Sequence, residues 1–331
     1  MRLQAITPQP PPALLSALAQ IGIRTDTDLL FSASPADIFR KLPSETLTLR
    51  EFDDFVAQVA RQAAAPAVQA DVLFEQEKQR EESDLFSEPS TGVRRLDELL
   101  GGLPPPRVIE VSGDRGSGKS SLALQIVLRH LSSDHNVGAL WIDTTGEFSA
   151  DAIPPLLASY EGHASSTVLE RLQVALAFDV ETAYDVLEML RTTLSTHPDA
   201  PPVVRCVVVD TVTALLSPLL SAVSSQGHAI MTTFMRELQN LAQTFSLTVL
   251  VINSSTKCTP RNPDSVFATT DRKPALGPSF TFLTDTTLWL AKREIGEDGN
   301  IAHIAEIFRS RIGPSQTWCL LKICRGILSD V

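Results

Sequence analysis

Gly113-Asp114-Arg115-Gly116-Ser117-Gly118-Lys119-Ser120 reads G-D-R-G-S-G-K-S, a full match to the pattern G-x-x-x-x-G-K-[ST]. The spacing is compact around an anion. Its glycines let consecutive backbone N–H groups converge without side-chain obstruction, Lys119 can reach terminal phosphate oxygens, and the Ser120 hydroxyl can face Mg²⁺. Directly upstream, Arg107-Val108-Ile109-Glu110-Val111 is a β-rich run, and residues 120–132 downstream are helix-forming and largely apolar. Strand, glycine loop and helix in that order aim a helix N-terminus at a phosphate. All eight residues of the loop are therefore candidate nucleotide ligands, with ATP and Mg²⁺ as the expected cofactors.

Moving outward, Val207-Val208-Val209-Asp210 is a buried-type β-branched run ending in an acid. An aspartate at a strand's carboxyl edge beside a phosphate loop can hold a magnesium-bound water, so Ser120 and Asp210 are the candidate metal-side residues. The same Asp could equally serve turn chemistry alone. The next strand-like run ends Val251-Ile252-Asn253-Ser254, polar residues that either sense a terminal phosphate or begin a turn.

Strand-like runs fall at 108–112, 139–143, 172–177, 203–210, 248–253, 286–291, 302–308 and 317–323, and helical runs at 120–132, 150–159, 181–195 and 229–245. Alternation early and short connections late predict an α/β fold: a mostly parallel sheet flanked by helices, with an antiparallel extension. Ahead of it, Leu14, Leu15, Leu18 and Ile21 have helical spacing, Ser34-Pro35 is a helix start, and Thr48-Leu49-Arg50-Glu51 is a capping-box pattern. We divide the chain into a small helical bundle at 1–65, an acidic linker at 66–90 carrying Glu75, Glu77, Glu81, Glu82, Asp84 and Glu88, and a core at 91–331. The bundle is either a stabilising appendage or a docking or DNA-touching module. Within the linker, Val72-Leu73-Phe74 is an apolar trio that either pegs a neighbouring subunit or packs on its own chain.

Composition narrows the classes further. At 331 residues, 43% hydrophobic and 20% charged, the chain has material for a sizeable core. A net charge of −11 argues against a surface broadly coated for nucleic acid, so any DNA contact is expected to be local. Cys206, Cys258, Cys319 and Cys324 form no C-x-x-C pair and read as reduced thiols. No apolar leader and no membrane-length run are present. Residues 256–278 hold Lys257, Arg261, Arg272 and Lys273 against Asp264 and Asp271, without regular period. That locally basic stretch fits a phosphate-backbone contact, an intersubunit loop or an inert insertion. A small-molecule kinase would want an acceptor pocket and a basic lid, and neither is evident.

The order of these pieces, with Trp141-Ile142-Asp143-Thr144 and Val207-Val208-Val209-Asp210-Thr211-Val212-Thr213-Ala214, resembles the RecA/RadA superfamily of DNA strand-exchange ATPases. More narrowly, the continuation Leu215-Leu216-Ser217-Pro218-Leu219-Leu220, with Arg236-Glu237-Leu238 and Lys273-Pro274-Ala275-Leu276-Gly277, is similar to the D-type paralogues of the eukaryotic recombinase. The resemblance implies a RecA-like P-loop ATPase core that binds ATP at subunit boundaries. It also implies a nuclear role in homologous-recombination repair. As partners it implies other recombinase paralogues in a heteromeric complex, the recombinase itself, and single-stranded DNA on which that recombinase is loaded. Phe74 lies near the family's aromatic interface anchor, with Glu77 where the family has alanine.

Three departures bear on mechanism. Active members resembling this chain carry a water-orienting glutamate just past the strand ending at Asp143, and position 145 is Thr. A hydroxyl cannot serve as a general base near neutral pH, and losing such a group costs about 10²–10⁴-fold in rate. Glu147, two residues on, is the substitute base if there is one, and an autonomous strand-exchange ATPase using it is the alternative reading. Ser254 stands where active members have Gln, and residues 216–227 hold no Lys or Arg where active members place DNA-facing cations. The expectation is an ATP-binding mediator subunit with weak hydrolysis or none.

Overall fold

In the computed structural model, residues 2–43, 46–64, 69–83, 88–160, 167–198, 200–220, 225–258, 265–267, 270–295 and 300–331 are described. Arg261, Asp264, Asp84 and part of the Ala/Pro-rich stretch before Val72 fall outside them. The chain divides into two units, Met1–Leu85 and Phe86–Val331.

The first unit is helical: α1 (Pro12–Gln20), α2 (Asp26–Phe31), α3 (Pro35–Phe39), α4 (Leu49–Ala63) and α5 (Ala70–Ser83). Its starts follow from side-chain capping. Thr48 accepts from the Glu51 amide while Glu51 accepts from the Thr48 amide, Ser34 caps α3 with Pro35 at its first position, and Thr25 with Asp28 closes a second box. Leu14, Leu18, Leu29, Ile38, Phe52, Phe55 and Val59 make its core. The acidic stretch between bundle and core carries a helix, α5, because residues 70–83 are mostly helix formers without Gly or Pro. Val72, Leu73 and Phe74 on it are exposed, Phe74 at 68%.

The second unit runs α6 (Arg94–Leu100), β1 (Arg107–Gly113), α7 (Lys119–Ser133), β2 (Val137–Asp143), α8 (Ile153–Leu157), α9 (Val168–Arg171), β3 (Leu172–Leu176), α10 (Val180–Thr196), β4 (Val203–Asp210), α11 (Val212–Leu216) and α12 (Gln226–Phe245). It continues β5 (Thr248–Asn253), β6 (Ser255–Lys257), β7 (Arg272–Pro274), β8 (Thr286–Ile295), β9 (Asn300–Ser310), β10 (Trp318–Cys324) and β11 (Ile327–Asp330). Among the described residues nine strands form one sheet in the order β11-β10-β9-β8-β1-β5-β4-β2-β3. From β8 to β3 all neighbours are parallel, and β8 to β11 pair antiparallel. This is the parallel sheet with antiparallel extension expected from the alternation of runs.

Both faces are covered, which is why the central strands are apolar throughout rather than alternating. Leu122, Ile126 and Val127 of α7 pack on Ile109, Val111, Leu250 and Leu290. On the other face Leu187 of α10 and Phe234, Met235 and Leu238 of α12 pack on Val108, Val207, Val209 and Val249. The 256–278 stretch is not wholly irregular: β6 and β7 pair as a two-stranded ribbon at its ends.

Candidate nucleotide site

The carboxyl ends of β1, β2, β4 and β5 open on a cavity of about 480 Å³. It is lined by the phosphate loop (Arg115, Gly116, Lys119, Ser120), by Asp143, Thr145 and Glu147 past β2, by Asp210 and Ser254, and by an apolar side of Leu124, Phe148 and Ala152. Ligands of open α/β sheets sit at this end of the strands.

The glycines are needed here for space as much as for backbone freedom. A Cβ at Gly113 would run into the carbonyl oxygen of Leu290, and one at Gly118 into Ile323. Gly116 and Gly118 also have φ of 75° and 95°, in the left-handed region. Lys119 is 8% exposed, and its ammonium donates to the carbonyl oxygens of Gly113 (3.0 Å) and Asp114 (2.8 Å). Burial lowers its pKa, while Asp210 and Asp114 oppose that shift. Ser117 is buried, and its hydroxyl has no partner among the described residues. A lysine folded back on loop carbonyls and an orphaned buried hydroxyl both fit an arriving phosphate, which can replace the first set of bonds and satisfy the second.

Asp210 accepts a hydrogen bond from Ser120, and its pKa is raised by burial first, with Asp143 and Glu147 adding to the rise and Ser120 and Lys119 opposing it. That surplus of negative charge fits a divalent cation. Among the described residues no cluster of three acidic, His or Cys side chains could hold one alone. Mg²⁺ would therefore rest on Ser120, on Asp210 through water, and on the nucleotide's phosphates, the usual manner for that ion.

Asp143 plays a different part from Asp210, its register partner. It accepts from the amides of Thr145 (2.9 Å), Gly146 (2.8 Å) and Phe148 (2.9 Å) and from the Thr145 hydroxyl (3.2 Å). Burial pushes its pKa up, yet these bonds together outweigh burial and hold the carboxyl below its usual range. The aspartate thus ties down the turn that presents position 145, and the Thr145 hydroxyl is spent on it. Glu147 lines the cavity but meets Arg115 of the phosphate loop at 3.3 Å, both side chains being largely exposed.

At the tip of β5 the two polar residues part company. Asn253 is fully buried, donating to Glu110 (2.7 Å) and to the Ala275 carbonyl (3.2 Å) and accepting from Thr213 (2.6 Å). It holds structure together; Ser254 is the residue that reaches the cavity. Glu110, on β1, also accepts from Ser112 (2.6 Å) and Thr287 (2.8 Å), and burial raises its pKa against those three bonds. Neither the role of Glu110 nor that of Asp143 is written in the local sequence. The signal for Glu110 was an acid inside an apolar strand.

The basic stretch is split. Arg272 faces Asp114 of the phosphate loop at 3.7 Å, and Asp114 also accepts from Ser255. Lys257 is exposed and Lys273 half-buried on the ribbon, while Arg261 lies outside the described residues. Further along, Glu306 of β9 accepts from Ser265 and from the Val266 amide, pinning the middle of the stretch to the sheet.

Comparison with known proteins agrees with this architecture. The Rad51 family profile matches residues 84–317. The chain is 37% identical over 205 residues to DNA repair protein RAD51 homolog 4 of Bos taurus, covering 61% of this chain and 60% of that one, and 33% identical over the same length to the Mus musculus counterpart. It is 24% identical over 204 residues to a probable RAD51 homolog 4 of Dictyostelium discoideum, of which the match covers 57%. The matched segment thus spans about three-fifths of the length of these curated relatives. Among solved structures, the RadB recombinase superposes with a TM-score of 0.56 at 23% identity, covering 73% of this chain and 99% of that one, a likeness of fold. With the family profile, the curated relatives and the RecA-like sheet in agreement, the chain belongs to the Rad51 family of the RecA superfamily, as a recombinase paralogue of the D type.

Proposed function

We propose that the chain binds ATP with Mg²⁺ and works as one subunit of a heteromeric assembly of recombinase paralogues in homologous-recombination DNA repair, in the nucleus, helping to load the recombinase on single-stranded DNA. It hydrolyses ATP slowly or not at all. The observation that carries this is the pairing of a complete phosphate cradle with Thr145, whose hydroxyl is bonded to Asp143. Gly113, Asp114, Arg115, Gly116, Ser117, Gly118, Lys119 and Ser120 would hold the phosphates, and Ser120 with Asp210 the metal. When bound, ATP·Mg²⁺ would supply a strong anionic anchor for these residues. Around it Thr145 offers no base, and Glu147, largely exposed on the cavity wall, pairs with Arg115 at 3.3 Å. A ligand that binds the assembled state better than the free one shifts assembly without turnover.

Two surfaces support the assembly part. β3 ends the sheet and, among the described residues, has no strand on its outer side. Val174 and Leu176 on it, with Leu169, Phe178 and Met189 nearby in sequence, are exposed. An unpaired apolar edge favours an added strand from another chain, and the exposed Val72, Leu73 and Phe74 on α5 are this chain's own candidate anchor for a neighbouring subunit. DNA contact is assigned to Lys257 and Lys273, weak and local, because Arg272 is turned to Asp114 and 216–227 carries no cation.

ATP turnover of the purified chain, alone and with partner paralogues, tests this reading: recombinase-like rates would contradict it. If Glu147→Gln abolished strong DNA-stimulated hydrolysis, the autonomous strand-exchange ATPase would take its place. Mass measurement with a non-hydrolysable analogue separates the two again, since an autonomous recombinase forms rings or filaments by itself.

A further inference from the structure

Lys292 stands on β8 two residues past Leu290, whose carbonyl oxygen abuts Gly113. Alternation along a strand puts Leu290 and Lys292 on one face. Leu290 Cδ2 lies 3.8 Å from where a Cβ on Gly118 would stand, and Lys292 Nζ lies 3.7 Å from where one on Gly116 would stand. Because β8 runs parallel to β1 and pairs Leu290 with Gly113, the last residue of β1, Lys292 lies two residues beyond that pair, on the side where the phosphate loop begins. Three other cations near the loop have partners: Lys119 donates to the carbonyls of Gly113 and Asp114, Arg115 makes an exposed pair with Glu147, and Arg272 faces Asp114. Lys292 is exposed and has no hydrogen bond or ion pair among the described residues.

Its partner across the β8–β9 ladder is His303, buried, with a ring Nδ1 that lacks a partner among the described residues. Burial first, and Lys292 second, keep that imidazole below its ordinary range, so the lysine carries the charge of the pair.

We propose that Lys292 is a second phosphate-binding lysine of the nucleotide site, closing on the polyphosphate at the loop tip from the β8 side, across the loop from Asp210. The proposal rests on the nucleotide-binding reading above and adds to it a residue outside the loop motif. The four-carbon stem of a lysine gives its ammonium the reach and freedom to find an oxygen that Lys119 leaves uncovered. Such a contact helps hold a triphosphate that is not being cleaved, and it distinguishes nucleotides by phosphate number.

The test is equilibrium binding of ATP, ADP and AMP to the full chain at low and high salt, for wild type, Lys292→Ala, Lys292→Arg and Lys119→Ala. Lys292→Ala is expected to weaken ATP binding about three- to tenfold, as loss of a charge-assisted contact at a half-open site does. AMP binding should change little, the salt dependence should become shallower, and Lys292→Arg should restore most of the affinity. The thermal midpoint of the nucleotide-free Lys292→Ala protein should match wild type. If Lys292→Ala binds ATP like wild type while Lys119→Ala loses it, the proposal falls and the nucleotide site stands. An equal loss for ATP and AMP, or a lowered midpoint without nucleotide, would make Lys292 a prop of the loop and overturn it too. Wild type that binds no nucleotide removes both readings together.

Discussion

On the proposed reading, position 145 sets what the site does with its ligand. The Thr145 hydroxyl donates to Asp143 and sits on the cavity wall. Thr145→Glu is expected to raise ATP turnover at least about tenfold, a fraction of what a placed general base contributes; phosphate release under saturating ATP checks it. The gain is held down by the charges of Asp143 and Asp210 close by. Asp143 itself yields a stability prediction. Its folded pKa is below the ordinary 3.8, so the stabilisation it brings is complete above that value and is lost as pH falls below it. Asp143→Asn should cost about 1–3 kcal/mol at neutral pH, through weakened bonds to three amides. The gap from wild type in urea midpoint should narrow as the buffer is taken below pH 4.

Among the elements, β1 carries the least expected one-residue dependency. Glu110→Ala would leave the Asn253 amide and the Ser112 and Thr287 hydroxyls without their acceptor inside a dry sheet. We expect a loss of about 3 kcal/mol or more, read from denaturant unfolding, and faster proteolysis near Ala275, whose carbonyl the same Asn253 holds. The strands themselves were legible because their causes are local: Val207-Val208-Val209 is a β-branched run that favours a strand covered on both faces. The turn of the phosphate loop was legible for the same reason, since its glycines lie within eight consecutive residues. Glu110 was legible only as an acid out of place in an apolar strand; what it holds was not, because two of its three donors sit 143 and 177 residues away. Helix α6 was missed because seven residues ended by Gly101 give too short a period to count. The ribbon of β6 and β7 was missed because three-residue strands carry no alternation at all.

For the whole molecule the exposed edge at β3 matters most. Leu176→Asp together with Phe178→Asp should abolish co-purification with whichever paralogue adds a strand there. The monomer's unfolding midpoint should stay within about 0.5 kcal/mol of wild type, since both side chains already face solvent. Size-exclusion of the mixed proteins, with calorimetry of the variant alone, checks both halves. One further feature reaches across the core. The Asp114 carboxylate, inside the phosphate loop, takes up Ser255 and Arg272 from the two strands of the ribbon. Any breathing of the loop must therefore tug on that ribbon, and any change in the ribbon alters how easily the loop breathes. Dwell time of a bound nucleotide becomes a property written partly at positions 255 and 272, where a substitution can speed or slow departure while leaving every phosphate-touching group in place.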